Sequence, residues 1–231
     1  MQKPASRRFS SSLFWQLLSI VAVSGSLLLS AGSAKAAWSV EPALHQAQER
    51  YHSGSAKKRL QAWRDLLESS RQLPERKQLQ AVNHEINHQI RFSADEVVWQ
   101  RPDYWATPVE TLARGVGDCE DFALVKYFTL LQLGIPQEKL RITYAKALEL
   151  NQAHMVVTYF ATPDAEPLVL DNLLDSILPA SQRKDLALRY AFNGHGLYAM
   201  KSGALRHIGE MGEVSFWQGL LARMKREGFR T

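Results

Sequence analysis

The sequence predicts an α+β fold, one domain with a helical N-terminal part. Three observations predict it. Apolar residues recur at helical spacing from Glu41 to about Phe92. A further helical pattern opens at the chain's only cysteine, Cys119. Beyond Pro136 the pattern changes to short β-branched and aromatic runs. The domain is expected to cover residues 37–231, with its helical part at about 37–92. There is no internal repeat, low-complexity tract or obvious linker.

The first 36 residues stand apart. MQKPASRRFSSS carries Lys3, Arg7 and Arg8 and no acid; LFWQLLSIVAVSGSLLLSA is an apolar run; SAKAAW supplies small residues at Ala34 and Ala36. This is the pattern of a secretory signal peptide, 1–36, cut after Ala36. The competing reading is an uncleaved anchor, because Leu13 to Ala31 is nearly long enough to span a bilayer. The whole chain has 28 basic and 23 acidic residues. Removing 1–36 takes four basic residues (Lys3, Arg7, Arg8, Lys35) and leaves 24 − 23 = +1. The positive charge of the full chain is therefore no argument for nucleic acid or anionic membranes. No other segment is apolar enough to span a membrane, so the mature protein is expected to be soluble and exported.

The elements follow in order. SAKKRLQAWRDLLESSRQ places Leu60, Trp63, Leu66 and Leu67 on one face. Pro74 opens the next helix in its first turn, and Leu79, Val82, Ile86 and Ile90 mark its buried face. SADEVVWQRPDYWATPVE, rich in aromatics and broken by Pro102 and Pro108, reads as a loop feeding the cysteine region. DFALVKYFTLLQLG keeps Phe122, Val125, Leu130 and Leu133 near one side, and Gly134 stops the helix. LRITYAKAL, HMVVTYF and PLVLDNL read as strands, the last two separated at Pro163 and Asp164. SQRKDLALRYAFNGHGLYAM is mixed, with a turn near Gly194, and SFWQGLLARMKREGF reads as an amphipathic helix.

Cys119 poses a question. Asp118 precedes it and Glu120 and Asp121 follow it, and neighbouring negative charge opposes thiolate formation. Exported proteins use cysteines in pairs, so a lone one is either a buried apolar residue or a reactive thiol. At a helix start the free N–H groups and the dipole favour a thiolate and can hold an oxyanion. A base is still needed. His154 begins one strand and Asp171 ends the next. In a hairpin turning at Thr162 and Pro163 the paired residues sum to 325, which sets His154 opposite Asp171. Because that sum is odd, the two share a sheet face even if the register slips by two. Asp171 would then hold the imidazole while its other nitrogen takes the Cys119 proton. A surface histidine and a strand-end aspartate remain the competing reading.

The other histidines say less. HEINH, from His84 to His88, matches the H-E-x-x-H zinc pattern, with Glu110 available as a third ligand. Val82, Ile86 and Ile90 define the buried face of that helix, however, and both histidines lie off its centre. Structural or exposed roles compete with zinc there. His45, His52, His195 and His207 show no partner pattern.

The stretches YWATPVETLARGVGDCEDFALVKYFTLLQLGIP, LRITYAKAL, AHMVVTYF, PLVLDNL, SQRKDL and FNGHGLY resemble the bacterial transglutaminase-like cysteine proteinases, over about Phe92 to Tyr198. Within that family the resemblance is to the periplasmic proteases that release large biofilm adhesins. It implies a papain-like, transglutaminase-type core and a Cys119, His154, Asp171 triad. It also implies calcium dependence, with Asp118, Glu120 and Asp121 as ligands. Physics agrees with that last implication: clustered carboxylates repel unless a hard cation is shared among them, and a dication beside Cys119 reverses the local field. The competing role for these acids is at a helix start, favoured by the dipole.

The implied location is the periplasm. The implied substrate is the N-terminal region of a large surface adhesin, cut beside a pair of alanines to disperse the biofilm. The implied inhibitory partner is the periplasmic domain of an inner-membrane cyclic-di-GMP receptor. Neither nucleic acid nor membrane insertion of the mature chain is expected. The Cys119 N–H is expected in the oxyanion hole, with a second donor from the loop around Tyr104 and Trp105. Two rivals stay open on the residues alone: acyl transfer to an amine by the same triad, as in transglutaminases and amidases, and a binding module without catalysis.

Overall fold

The computed structural model describes residues 39–201, 204–211 and 215–230. The expected signal peptide lies outside them. All described residues belong to one compact unit, Lys35–Thr231. Among them no helix is long and apolar enough to cross a membrane.

Three helices come first: α1 (Glu41–Arg50), α2 (Gly54–Ser70) and α3 (Glu75–Gln89). The Ser53 hydroxyl accepts the Ala56 N–H at 3.1 Å and so starts α2. This helix buries Leu60, Trp63, Leu66 and Leu67, the face that the spacing predicts. Pro74, expected inside the first turn of α3, instead forms its N-cap, and Leu79, Val82 and Ile86 pack inward. The Trp63 indole N–H donates to Thr129 Oγ1 at 2.8 Å across the core.

The segment expected as a loop is more ordered than its prolines suggest. β1 (Arg91–Phe92) leads into it, and it holds a single turn, α4 (Asp95–Val98). Then α5 (Pro108–Arg114) begins on a complete capping box, Thr107 with Glu110. That box was legible in TPVE as a Thr and a Glu three residues apart. A left-handed Gly115 (φ 70°) ends α5, and β2 (Val116–Gly117) runs parallel to β1.

Next comes α6 (Cys119–Gln132), buried at every position from Asp121 to Gln132. It was expected to have one apolar side, but α3, α5 and two strands of the sheet all pack against it. A helix enclosed in this way needs no polar face.

The sheet has seven strands: β3 (Leu140–Ala147), β4 (Gln152–Tyr159), β5 (Leu168–Leu170), β6 (Leu178–Pro179), β7 (Leu186–Phe192), β8 (Leu197–Lys201) and β9 (Ala204–Gly209). Their spatial order is β6-β5-β4-β3-β7-β8-β9, and every neighbouring pair is antiparallel. The β4–β5 pair corrects the expected register. Val157 faces Leu170 and Thr158 faces Val169, so paired residues sum to 327 rather than 325. The slip is by two, and parity keeps His154 and Asp171 on one face.

The chain ends in α7 (Ser215–Arg226), which buries Trp217, Leu220 and Met224. Trp217 stacks on Phe128 of α6 at 5.8 Å between ring centroids.

Candidate active site

Cys119 is the first residue of α6, and the chain reaches it through a narrow passage. The Gly115 and Gly117 carbonyls accept the Arg91 and Ser93 N–H groups at 3.0 and 2.9 Å, which fixes β2. A side chain at position 117 would place its Cβ 2.5 Å from Asp121 Oδ2, so only glycine lets the backbone pass that carboxylate. Asp118 then stands at the N-cap of α6. Its side chain makes no capping hydrogen bond, and its Oδ1 is buried without a partner. Asp118 therefore stands at the helix start without serving as a hydrogen-bonding cap.

Two further carboxylates converge there. Ligand atoms of Asp95, Asp118 and Asp121 lie within 4.8 Å of one another, as do those of Asp95, Asp103 and Glu120. The Asp95 carboxylate accepts the Tyr104 N–H with Oδ2, and Asp121 accepts the Ala106 N–H with Oδ1 at 3.0 Å. Their other oxygens, Asp95 Oδ1 and Asp121 Oδ2, are buried and unpartnered.

Burial pushes the Asp95 carboxyl up to about 6, with the charges of Glu120 and Asp103 adding to it. Burial and then the Glu120 charge push Asp118 up, and burial pushes Asp121 well above the usual range. The Cys119 thiol is raised by burial first, then by the charge and hydrogen bond of Glu120. It donates to Glu120 Oε2 at 3.1 Å. Orphaned buried oxygens and mutually opposed carboxylates fit a hard cation with oxygen ligands, and calcium is such an ion. Asp95 and Asp103 were missed in the sequence because 15 or more residues separate them from Cys119; only the fold brings them to it.

His154 and Asp171 form the opposite arrangement. His154 Nε2 lies 2.7 Å from Asp171 Oδ1, and both residues are buried. The Leu173 N–H donates to the same oxygen at 3.0 Å, and Arg183 Nη2 donates to Oδ2 at 2.6 Å. Burial works to raise the Asp171 carboxyl. The bond and charge of His154, with the Leu173 N–H and Arg183, outweigh burial and hold it well below the usual range. An ionised Asp171 accepts, so Nε2 of His154 carries a hydrogen, and whenever the ring is neutral its lone pair is on Nδ1. Arg183 is itself gripped by Asp185, at 2.9 Å from Nε and 2.7 Å from Nη2. Arg183 and Asp185 lie in SQRKDL, where their spacing of two was visible but their partner was not.

One cleft joins the two arrangements. Cys119, Glu120, His154 and Met155 line it, and Trp105, Tyr144 and Leu173 form apolar parts of its wall. Trp105 is held from behind: Arg223 of α7 donates to its carbonyl, and Phe216 and Phe192 stack on its ring at 5.8 and 5.6 Å. In the loop around Tyr104 and Trp105, expected to offer a second oxyanion donor, Tyr104 is already committed. Its N–H goes to Asp95 and its hydroxyl to Glu110.

Residues 45–189 match the family model described as "Bacterial transglutaminase-like cysteine proteinase BTLCP". The chain belongs to the bacterial transglutaminase-like cysteine proteinases. It is a mixed fold of that family, with a helical part before the cysteine helix and an antiparallel sheet after it. Legionella pneumophila LapG is 44% identical, with a TM-score of 0.71 over 80% of this chain and 97% of that one. The calcium-bound form of the same LapG is 43% identical, with a TM-score of 0.70 over 80% and 99%. Its EGTA-treated form gives 44% and 0.72. A comparison with curated proteins returned no match. Like other members of the family, the chain is a cysteine proteinase, and its clustered carboxylates are a group that could hold a metal ion.

Proposed function

We propose that Cys119, His154 and Asp171 are the catalytic triad of an exported, calcium-dependent endopeptidase. The observation that carries this reading is the 2.7 Å contact between His154 Nε2 and Asp171, beside a cleft shared with Cys119. His154 Nδ1 takes the Cys119 proton as sulfur bonds to the scissile carbonyl carbon, then gives it to the leaving amine as the C–N bond breaks. A water, deprotonated by the same nitrogen, cleaves the thioester and returns the free thiol. Asp171 holds the imidazole and offsets its positive charge, and Arg183 fixes Asp171. The Cys119 N–H, free at the start of α6, is the proposed first oxyanion donor.

Asp118, Glu120 and Asp121, joined by Asp95 and Asp103, would hold calcium. Calcium there would offset the negative charge that opposes the thiolate. With the Glu120 carboxylate engaged as a ligand, Cys119 would be released from Glu120 toward His154.

The substrate proposed is the N-terminal region of a large surface adhesin, cut beside paired alanines, so that cleavage disperses a biofilm. The place is the periplasm, reached by cleavage of 1–36. The inhibitory partner is the periplasmic domain of an inner-membrane cyclic-di-GMP receptor. The likeness to LapG supports these assignments.

The test is incubation with an adhesin N-terminal fragment, with and without a primary amine, in calcium or chelator. Two shorter peptides in calcium are expected. An amine adduct would make the protein a transferase, and an unchanged fragment would make it a binder.

A further inference from the structure

HEINH is the motif that the protease site does not absorb, and the fold gives it a partner. His84 and His88 sit one turn apart on the exposed side of α3, with ring centroids 4.1 Å apart. The loop after β5 brings Asp175 to them. Its Oδ2 lies 3.6 Å from His84 Nδ1 and 3.9 Å from His88 Nε2. One ligand atom from each of the three lies within 4.8 Å of the others. Separations of 3.6 and 3.9 Å are too long for hydrogen bonds. They approach the ligand-to-ligand edge of a tetrahedral zinc site, about 3.4 Å for metal bonds of about 2.1 Å.

The surroundings prepare these atoms. His88 Nδ1 lies 2.8 Å from the His84 carbonyl oxygen. A carbonyl only accepts, so Nδ1 carries the hydrogen and Nε2 keeps its lone pair on the Asp175 side. Histidine ligands commonly have such an anchor on the second nitrogen. Asn87 Nδ2 donates to Asp175 Oδ1 at 2.7 Å, and Asn83 Nδ2 donates to the Asp175 carbonyl at 2.9 Å. The loop is therefore docked on α3 with Oδ2 turned to both histidines.

The third ligand that the sequence offered, Glu110, is spent on the α5 capping box. Glu85, the base of a zinc protease with this pattern, accepts from Gln89 Nε2 at 2.6 Å. The arrangement therefore lacks a hydrolytic centre and keeps a ligand set.

We propose that His84, His88 and Asp175 bind a divalent transition ion of the zinc class, with water as the fourth ligand. Two imidazoles and one carboxylate suit zinc and discriminate against calcium, which takes oxygen donors. The ion is a clasp. Asn87 Nδ2 also donates to the Asp171 carbonyl at 2.9 Å, so a filled site fastens the segment from Asp171 to Asp175 onto α3. Binding at this clasp does not depend on the triad.

The test is calorimetric titration of zinc into the calcium-loaded protein and its Cys119→Ala variant. The variant is included because Cys119, Asp118 and Glu120 form another cluster that zinc could enter. Cys119→Ala is expected to bind one zinc per chain, undisplaced by excess calcium. Adding His84→Ala or Asp175→Asn to it should weaken binding at least tenfold. Cobalt(II) in place of zinc should give visible absorption without a thiolate charge-transfer band. If Asp175→Asn does not fold, the exposed His84→Ala carries the test alone. Zinc binding that vanishes in Cys119→Ala, or that survives His84→Ala unchanged, overturns the proposal.

Discussion

Asp121 and Asp171 are equally buried, at 0% and 1% exposure, yet they are opposite kinds of carboxylate. Asp171 has both oxygens occupied, by an imidazole, a backbone N–H and a guanidinium. Asp121 has one oxygen on the Ala106 N–H and one on nothing. Protein groups offset burial at Asp171 and hold its carboxyl low, whereas burial prevails at Asp121 and lifts it. Burial alone does not assign a role to an acid. A saturated carboxylate positions its neighbours, and an unsaturated one beside others like it is shaped for a cation.

The largest expected effect falls on the saturated side. Cys119→Ala, His154→Ala and Asp171→Ala should each reduce single-turnover cleavage of an adhesin fragment by about 10⁴-fold. Paired substitutions should add little, because the residues act as a unit. Near-native cleavage by Cys119→Ala would remove the proposed mechanism.

Chelation comes next and acts on the unsaturated side. Removing calcium should slow cleavage by about 10²-fold, because the start of α6 loses its fixed geometry. Asp121→Asn should lose calcium binding while raising the melting temperature in chelator, since it removes an unpaired buried acid. Asp171→Asn should lower that temperature, because Arg183 loses a buried charged partner. Shifts of the same sign in the two variants would erase the contrast between these acids.

Arg183→Met sharpens the same point. It leaves Asp171 Oδ2 buried and bare, so denaturant unfolding should show a loss of about 3 kcal/mol. Cleavage should fall less than in Asp171→Ala, because the bond to His154 remains.

The smallest effect is in acid. The Asp171 carboxyl titrates lower in the folded protein than its unfolded value near 3.9. Its stabilisation is therefore complete above about pH 5 and disappears as the pH falls through the folded value. Wild type should lose more stability than Asp171→Asn between about pH 5 and 2. Parallel curves would show that Asp171 gains nothing from its partners.

The pair His154 and Asp171 was legible because strand parity survives an error of two in register, and the slip was of that size. Cys119 was legible as the chain's only cysteine, at a helix start. Asp95, Asp103, Arg183 and Asp175 were not. Each gains its meaning from a partner on another element, and no local spacing encodes that meeting. The capping box before α5 was local and readable, but the surrounding prolines hid it. The burial of α6 from Asp121 to Gln132 was unreadable for a different reason: a sequence shows which residues are apolar, but not how many neighbours will cover a helix.

The grip of α7 on Trp105 has a consequence for the order in which the molecule is made. Arg223 and Phe216 follow Cys119 by about a hundred residues in the chain, and they fasten a wall of the cleft that holds that cysteine. A nascent chain made only as far as α6 already contains Cys119 and the acids around it, but nothing yet pins Trp105 from behind. The wall is therefore completed only when α7 arrives, and a chain shortened before Ser215 would carry every proposed catalytic residue beside a Trp105 backed by Phe192 but not by Arg223 or Phe216.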